Sequence, residues 1–252
     1  MNHITFDHIH HYGKTVFQND QFEHIHNPDL LTMYDSNYIR FKNEDLSLAE
    51  FKQAAEYLRS FHLKNGQKHV KFHFSDNSKI PDDIQIFLKE SEFMVGFIEL
   101  YAIQPKQFPP VKEDAKTEVV PVTEEILETY LQIQFEFDLK YGAEFAAQKS
   151  DQYKRNFHSD QILQVMALYE GKPAGSVDLI ISENTVEIDG LQVHERFQKK
   201  GIGSRLQKYA MDNFHDKTVI LVADGEDTPR EMYRKQNYQY LGYRYEALKV
   251  YI

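Results

Sequence analysis

Between Thr185 and Ala223 the hydrophobic period changes twice, and this change restricts the fold more than any other feature of the chain. Thr185–Val193 alternates as a strand does. Ile202, Leu206, Tyr209, Ala210 and Phe214 then fall on one helical stripe, and Val219 to Val222 form an unbroken branched or aliphatic run. Such a run suits a strand buried on both faces. Strand, helix and buried strand make a βαβ unit, whose crossover is right-handed and whose two strands run parallel. The first strand also slips phase. Val186 and Ile188 share one parity, Leu191 and Val193 the other. One inserted residue accounts for that, and Asp189-Gly190 at the slip predicts a β-bulge.

Elements on either side extend the unit. Glu118 to Val122 reads as a strand. A helix follows through Leu127, Tyr130, Leu131 and Phe135, favoured at its start by Glu124 and Glu125, with Thr123 as a candidate cap. Tyr141-Gly142 breaks it, and a second helix is expected over Ala143–Phe157. Strands Gln161–Tyr169 and Ala174–Ser182 lead into Thr185–Val193 through short turns. A helix from Thr228 to Gln236 and two closing strands complete the chain. Upstream, Pro105, Pro109 and Pro110 rule out continuous helix or central strand. The expected division is therefore a smaller half at 1–103, a Pro-rich linker at 104–117 and a second half at 118–252. The first half shows a helix at Leu48–Leu63 and a buried strand at His69–Phe74. Its Phe87-Leu88-Lys89 and Gly96-Phe97 echo Tyr233-Arg234-Lys235 and Gly242-Tyr243, which leaves two degenerate copies of one unit as an open reading.

Composition narrows the chemistry. The 252 residues include no cysteine, which excludes disulfides, thiolate metal sites and a cysteine nucleophile. With 29 basic and 39 acidic residues the net charge is −10, which argues against nucleic-acid or anionic-membrane partners. No membrane-spanning run occurs, and Met1 to His11 carries histidines and an aspartate where a secretory signal needs an apolar stretch, so a cytoplasmic location is expected. Against that acidic background, His194 to Lys208 holds Arg196, Lys199, Lys200, Arg205 and Lys208 with one acid, Glu195. Within it, Gln198-Lys199-Lys200-Gly201-Ile202-Gly203 opens the amphipathic helix. Two glycines allow close backbone approach, and the N–H groups and dipole of the helix start favour a pyrophosphate. A solvated glycine loop is the plain alternative. His8, His10 and His11, with His3, His24 and His26 nearby, have His-x-His spacing that binds zinc on a strand. No cysteine completes a set and no acid stands out as a ligand, so no metal is assigned.

Leu191 to Gly203 resembles the acyl-CoA-binding motif of the GNAT superfamily of N-acetyltransferases, a strand ending in valine followed by Gln/Arg-x-x-Gly-x-Gly/Ala at a helix start. Met232 to Tyr238 resembles the second signature of that family, and the strand order agrees over 118–252. The resemblance implies an α/β (α+β) fold with a GNAT-like mixed, splayed β-sheet flanked by helices, and a second, smaller α/β half that is a degenerate copy. It implies acetyl-CoA as co-substrate. The backbones of Leu191 and Val193 would bind pantetheine, and Gln198, Lys199, Lys200, Gly201, Ile202, Gly203 and Ser204 the pyrophosphate. Direct transfer to a small amine, a free amino acid or similar molecule, is the expected reaction. Tyr233 would protonate the leaving thiolate, and Glu187 or Asp189 would serve as base. Glu136 and Asp138 fall where such folds bind acceptors, or else form a solvated face. Two positions depart from the family pattern. Glu226 replaces a cofactor-contacting asparagine, and Asn237-Tyr238 replaces Gly-Phe. An acyl-CoA sensor without turnover is the alternative, and acetylation of a protein N-terminus or lysine a further one. Oligomeric state stays open.

Overall fold

The computed structural model describes residues 3–226 and 229–251. In chain order its elements are β1 (Lys14–Gln18), β2 (Phe22–His26), β3 (Tyr38–Phe41), α1 (Leu48–Lys64), β4 (His69–His73), α2 (Asp82–Glu90) and β5 (Met94–Ile103). Then come β6 (Thr117–Pro121), α3 (Leu127–Asp138), α4 (Ala143–Phe157), β7 (Ile162–Tyr169), β8 (Lys172–Ile181) and β9 (Thr185–Val193). The chain ends with α5 (Ile202–Asn213), β10 (Thr218–Asp224), α6 (Pro229–Lys235) and β11 (Gln239–Val250). The architecture is mixed α/β, as expected. Thr228, the expected first residue of the last helix, lies outside the described residues. No helix among them is long and apolar enough to cross a membrane.

Local chemistry sets many of the boundaries. Ser47 and Glu50 form a reciprocal capping box at α1. Thr123 does not cap α3, because a turn at Thr123–Ile126 intervenes and Ile126 takes the cap position without a side-chain bond. Gly142, at φ +110°, separates α3 from α4.

Two compact units partition the chain, and they do not follow chain order. One contains Met1–His10, Tyr101–Val222 and Glu231–Tyr240; the other contains His11–Leu100, Ala223–Arg230 and Leu241–Ile252. These limits differ from the expected cuts near 103 and 118. The C-terminal strand joins the unit built from the first half, since Glu246 to Val250 pair antiparallel with His73 to His69. A single strand also stands where two were expected. Gly242 serves a close approach rather than a turn. A Cβ there would fall 2.4 Å from Asn77 Oδ1, which accepts from the Tyr243 N–H, while the Asn77 N–H donates to the Tyr243 carbonyl.

The unit holding His11–Leu100 orders its strands β1-β2-β3-β4-β11, with β3 and β4 parallel. In its core Phe51 of α1 packs against Phe41, Phe72 and Phe74, with Leu58, Ile84 and Leu88 fully buried. In the other unit β6, β7, β8 and β9 form an antiparallel meander, and β10 runs parallel to β9. Val219, Ile220 and Leu221 are buried, as the apolar run requires.

The repeated pattern has a physical basis in helix ends. After α6, Asn237 adopts φ +66°, the Tyr238 N–H bonds the Tyr233 carbonyl and the Asn237 N–H bonds the Arg234 carbonyl. After α2, Glu92 adopts φ +58°, Phe93 bonds Leu88 and Glu92 bonds Lys89 in the same way. Both are Schellman caps. They align Leu88, not Phe87, with Tyr233.

β8 and β9 meet closely where they approach the glycine loop. A Cβ on Gly175 would lie 2.6 Å from the Gln192 carbonyl oxygen and 3.3 Å from Val193 Cα, both main-chain atoms. Gly175→Ala is therefore expected to destabilise the protein by about 1–3 kcal/mol. A urea melt measures the loss, and an unchanged midpoint would show that the strands part freely.

Candidate active site

The bulge on β9 decides which residues face which way. Ser176 pairs with Gln192 and Asp178 with Asp189, so Gly190 and Leu191 together oppose Val177. Gly190 takes φ +58°, a left-handed conformation that glycine adopts without cost. Before the bulge, Glu187 and Asp189 share a face with Asp178, the partner across the strand pair. After it, Leu191 and Val193 turn to the other face, where their side chains lie 3.6 and 3.8 Å from the position of a Cβ on Gly203. The parallel pairing of β9 with β10 is registered over Thr185–Glu187 against Thr218–Ile220, just ahead of these residues.

On the Gly203 side, α5 begins directly after Gly201, which holds φ +77°. Lys199 is also left-handed, at φ +62°. Helix geometry leaves the N–H groups of Ile202, Gly203 and Ser204 without intrahelical acceptors. Glycine at 203 brings this helix start within contact of Leu191 and Val193. The Lys200 ammonium lies 4.9 Å over the Tyr169 ring. Arg205 is differently engaged. Its guanidinium donates to the carbonyls of Gly201 and Lys112. That second bond seats the Pro-rich segment against the helix start, and a cleft of about 500 Å³ lies between them. Phe108, Lys112, Lys200, Ser204, Arg205 and Gln236 are among its lining. A linker reading of 104–117 missed this role, although Arg205 and the proline spacing were visible.

The opposite face holds a buried polar network. Asp178 accepts from the Tyr130 hydroxyl of α3 and the Asn156 amide of α4. The Gln134 amide donates to the Tyr130 hydroxyl, and Ser176 donates to Gln134. Asp138 accepts from the Tyr153 hydroxyl at 3.1 Å. Burial raises the Asp178 carboxyl to about 6, with the negative charge of Asp189 adding to the shift. Glu187 is 7% exposed and accepts from the His10 backbone N–H at 2.8 Å. Burial first, and Asp189 second, push its carboxyl up to about 8. His10 is itself lowered by burial, against the opposing pull of Asp189.

Several expected residues separate. Asp138 is buried in the network, whereas Glu136 lines a different cleft of about 300 Å³ with Thr129, Gln132, His194 and Arg196. Tyr233 lies on α6, half-buried, its ring 5.2 Å from Tyr101 and 5.4 Å from Tyr238. α6 is tied to the helix start by the Gln236 amide, 3.3 Å from Ser204 Oγ, and by the Tyr238 hydroxyl donating to Gln207. Asn237 takes the left-handed conformation that the glycine of the family signature would supply. Glu226 is exposed, its N–H bonded to the Asp224 carboxylate. The N-terminal histidines do not cluster. His8 accepts from the Thr5 N–H, His10 reaches Glu187 through its backbone, and His11 bonds the Tyr38 hydroxyl. Tyr130, Tyr153, Asn156 and His10 were missed from sequence, because their convergence depends on three elements far apart in the chain.

Residues 123–238 match the model of the acetyltransferase (GNAT) family. The chain carries a GNAT domain. Residues 4–101 match a model described as a domain of unknown function, DUF5613, and this is consistent with a degenerate or tandem arrangement. A functionally unknown conserved protein from Staphylococcus epidermidis has the same overall fold, with a TM-score of 0.91 and 30% identity over 100% of this chain and 99% of that one. The two belong to one family. A GCN5-related N-acetyltransferase from Kribbella flavida shares the fold at TM-score 0.62 and 13% identity, covering 94% of this chain and 89% of the other. A tandem GNAT protein from the clavulanic acid biosynthesis pathway does so at TM-score 0.55 and 11% identity, covering 84% and 75%. No curated protein matches the sequence. The GNAT domain supports acyl transfer, and members of this family bind acyl-CoA.

Proposed function

We propose that the protein moves an acetyl group from acetyl-CoA to the primary amine of a small molecule, with a free amino acid or similar amine favoured. One observation carries this reading. A glycine-opened helix start meets Leu191 and Val193 on one face of β9, and an acid pair, buried Glu187 and half-buried Asp189, occupies the other face just ahead of them.

The residues present fit the co-substrate. Backbone donors at Ile202, Gly203 and Ser204, with Lys199 and Lys200, suit a pyrophosphate, and the cleft beside Lys112 and Gln236 suits the nucleotide end. Leu191 and Val193 would offer main-chain groups to the pantetheine amides. When bound, acetyl-CoA supplies a thioester carbonyl that an amine attacks. Asp178 and Asp189 make the acceptor side acidic, and Glu187 adds to it above about pH 8, which favours a cationic or zwitterionic amine. In this reading Glu187 takes the ammonium proton, directly or through water, and Tyr233 returns a proton to the thiolate. In this reading the transferase chemistry belongs to 118–252, residues 1–103 are the degenerate copy, and 104–117 serves as more than a linker. An acyl-CoA sensor without turnover is the second reading, favoured by Glu226 at the position where the family has asparagine.

The test is an amine panel with acetyl-CoA, following free CoA release, alongside calorimetric CoA binding. Gly203→Val is expected to abolish CoA binding in a folded protein, because its γ-carbons extend beyond a Cβ already in contact with Leu191. Lys199→Gln with Lys200→Gln is expected to weaken binding and flatten its salt dependence. Unchanged affinity in both variants would remove the cofactor assignment. Tight CoA binding with no turnover on any amine would favour the sensor.

A further inference from the structure

Three buried histidines converge within the unit that holds His11–Leu100. His24 and His26 lie two residues apart on β2, so they share a face, and His62 occupies the last turn of α1. His24 and His62 are 0% exposed and His26 is 6% exposed. One ring nitrogen from each lies within 4.8 Å of the other two. Among the described residues, His24 Nε2, His26 Nδ1 and His62 Nε2 have no hydrogen-bond partner. Buried polar atoms are almost always satisfied, so three orphans in one place call for a common partner.

The other nitrogens of two of these rings are held. His62 Nδ1 lies 2.6 Å from the His69 carbonyl, and His24 Nδ1 lies 3.1 Å from the Tyr57 hydroxyl. A carbonyl only accepts, so the His62 proton resides on Nδ1 and Nε2 presents a lone pair. Outer partners of this kind orient imidazoles that ligate a metal. The Phe61 ring meets His24 and His26 edge to face at 4.6 and 5.0 Å, giving the cluster an apolar wall.

We propose that His24, His26 and His62 bind a divalent transition metal, zinc by preference, with water as fourth ligand, stapling the end of α1 to β2. Neutral imidazoles suit zinc, copper or nickel rather than magnesium or calcium. Nitrogens around a tetrahedral zinc at ~2.0–2.1 Å stand roughly 3.4 Å apart, so shifts of about 1 Å close the set. The site is separate from the proposed transfer chemistry and does not rest on it.

The test uses the full-length protein, stripped with a chelator and titrated with Zn²⁺, then with Co²⁺. One Zn²⁺ per chain is expected, with the visible bands of four-coordinate Co²⁺. A melting temperature raised by about 5–10 °C is expected at ~100-fold excess over Kd. His62→Phe should lose the bands and the shift, and His26→Gln provides the same reading if that variant does not fold. His8→Gln with His11→Gln should retain both, because those rings lie outside the cluster. Absence of saturable Zn²⁺ binding and of Co²⁺ bands in the wild type would overturn the assignment. So would binding lost in the His8/His11 variant but kept in His26→Gln.

Discussion

Glu187→Gln is expected to lower turnover by about 10²–10⁴ while leaving acetyl-CoA affinity near that of the wild type. The amide keeps an acceptor for the His10 N–H but cannot take a proton from an ammonium. A base with a carboxyl near 8 is protonated below that pH, so wild-type kcat should rise with pH and level off above about 8. In the variant this limb should vanish. Stability should move the other way. The ordinary value for this carboxyl is 4.5, and the fold raises it, so the native state binds the extra proton. Stability therefore falls as pH rises through the window from 4.5 to about 8. Removing the charge should raise stability above pH 8, on the order of a few kcal/mol, with no gain near pH 4. Paired denaturant melts at the two pH values check this. Wild-type turnover in the variant, or a pH limb that survives, would move the base elsewhere.

Tyr233→Phe is expected to reduce turnover by a similar factor of about 10²–10⁴, with Kd for acetyl-CoA and melting temperature little changed. The ring would keep its contacts with Tyr101 and Tyr238, and the Schellman bond at the end of α6 uses only the Tyr233 carbonyl. The variant deletes the hydroxyl and keeps the ring. Near-wild-type turnover with chemistry rate-limiting would assign thiolate protonation to water or another group. Loss of folding would instead mark Tyr233 as a packing residue of the aromatic cluster. The first half supplies an internal contrast. Its matching cap places Leu88, fully buried, where Tyr233 stands in the second. A leucine there has no proton to give, which agrees with reading the first half as a copy without transfer chemistry.

Much of the site was legible in the sequence because it is local. The phase slip between Ile188 and Leu191 could only be a bulge, and register places two residues opposite Val177 there. Gly201 at φ +77° and Asn237 at φ +66° take the left-handed conformation that glycine and asparagine tolerate. Helix Ala143–Phe157 and strand Thr185–Val193 were readable to the residue, since both are bounded by turn-forming residues. What the sequence could not convey is what is non-local. Two closing strands were expected after α6, yet one runs through Gly242, beside which Asn77, 165 positions earlier, fills the space. The prolines after Gln104 read as a tether, yet Arg205 holds their segment against a helix start. His24 and His26 carried a visible His-x-His pattern, but their third partner is His62 on α1, not the nearby N-terminal histidines. Period and backbone preference act over a few residues and can be read from the chain. Desolvation, pairing and orphaned polar atoms arise only when distant segments exclude water together, so the charge of Glu187 and the grouping of the buried histidines belong to the tertiary structure.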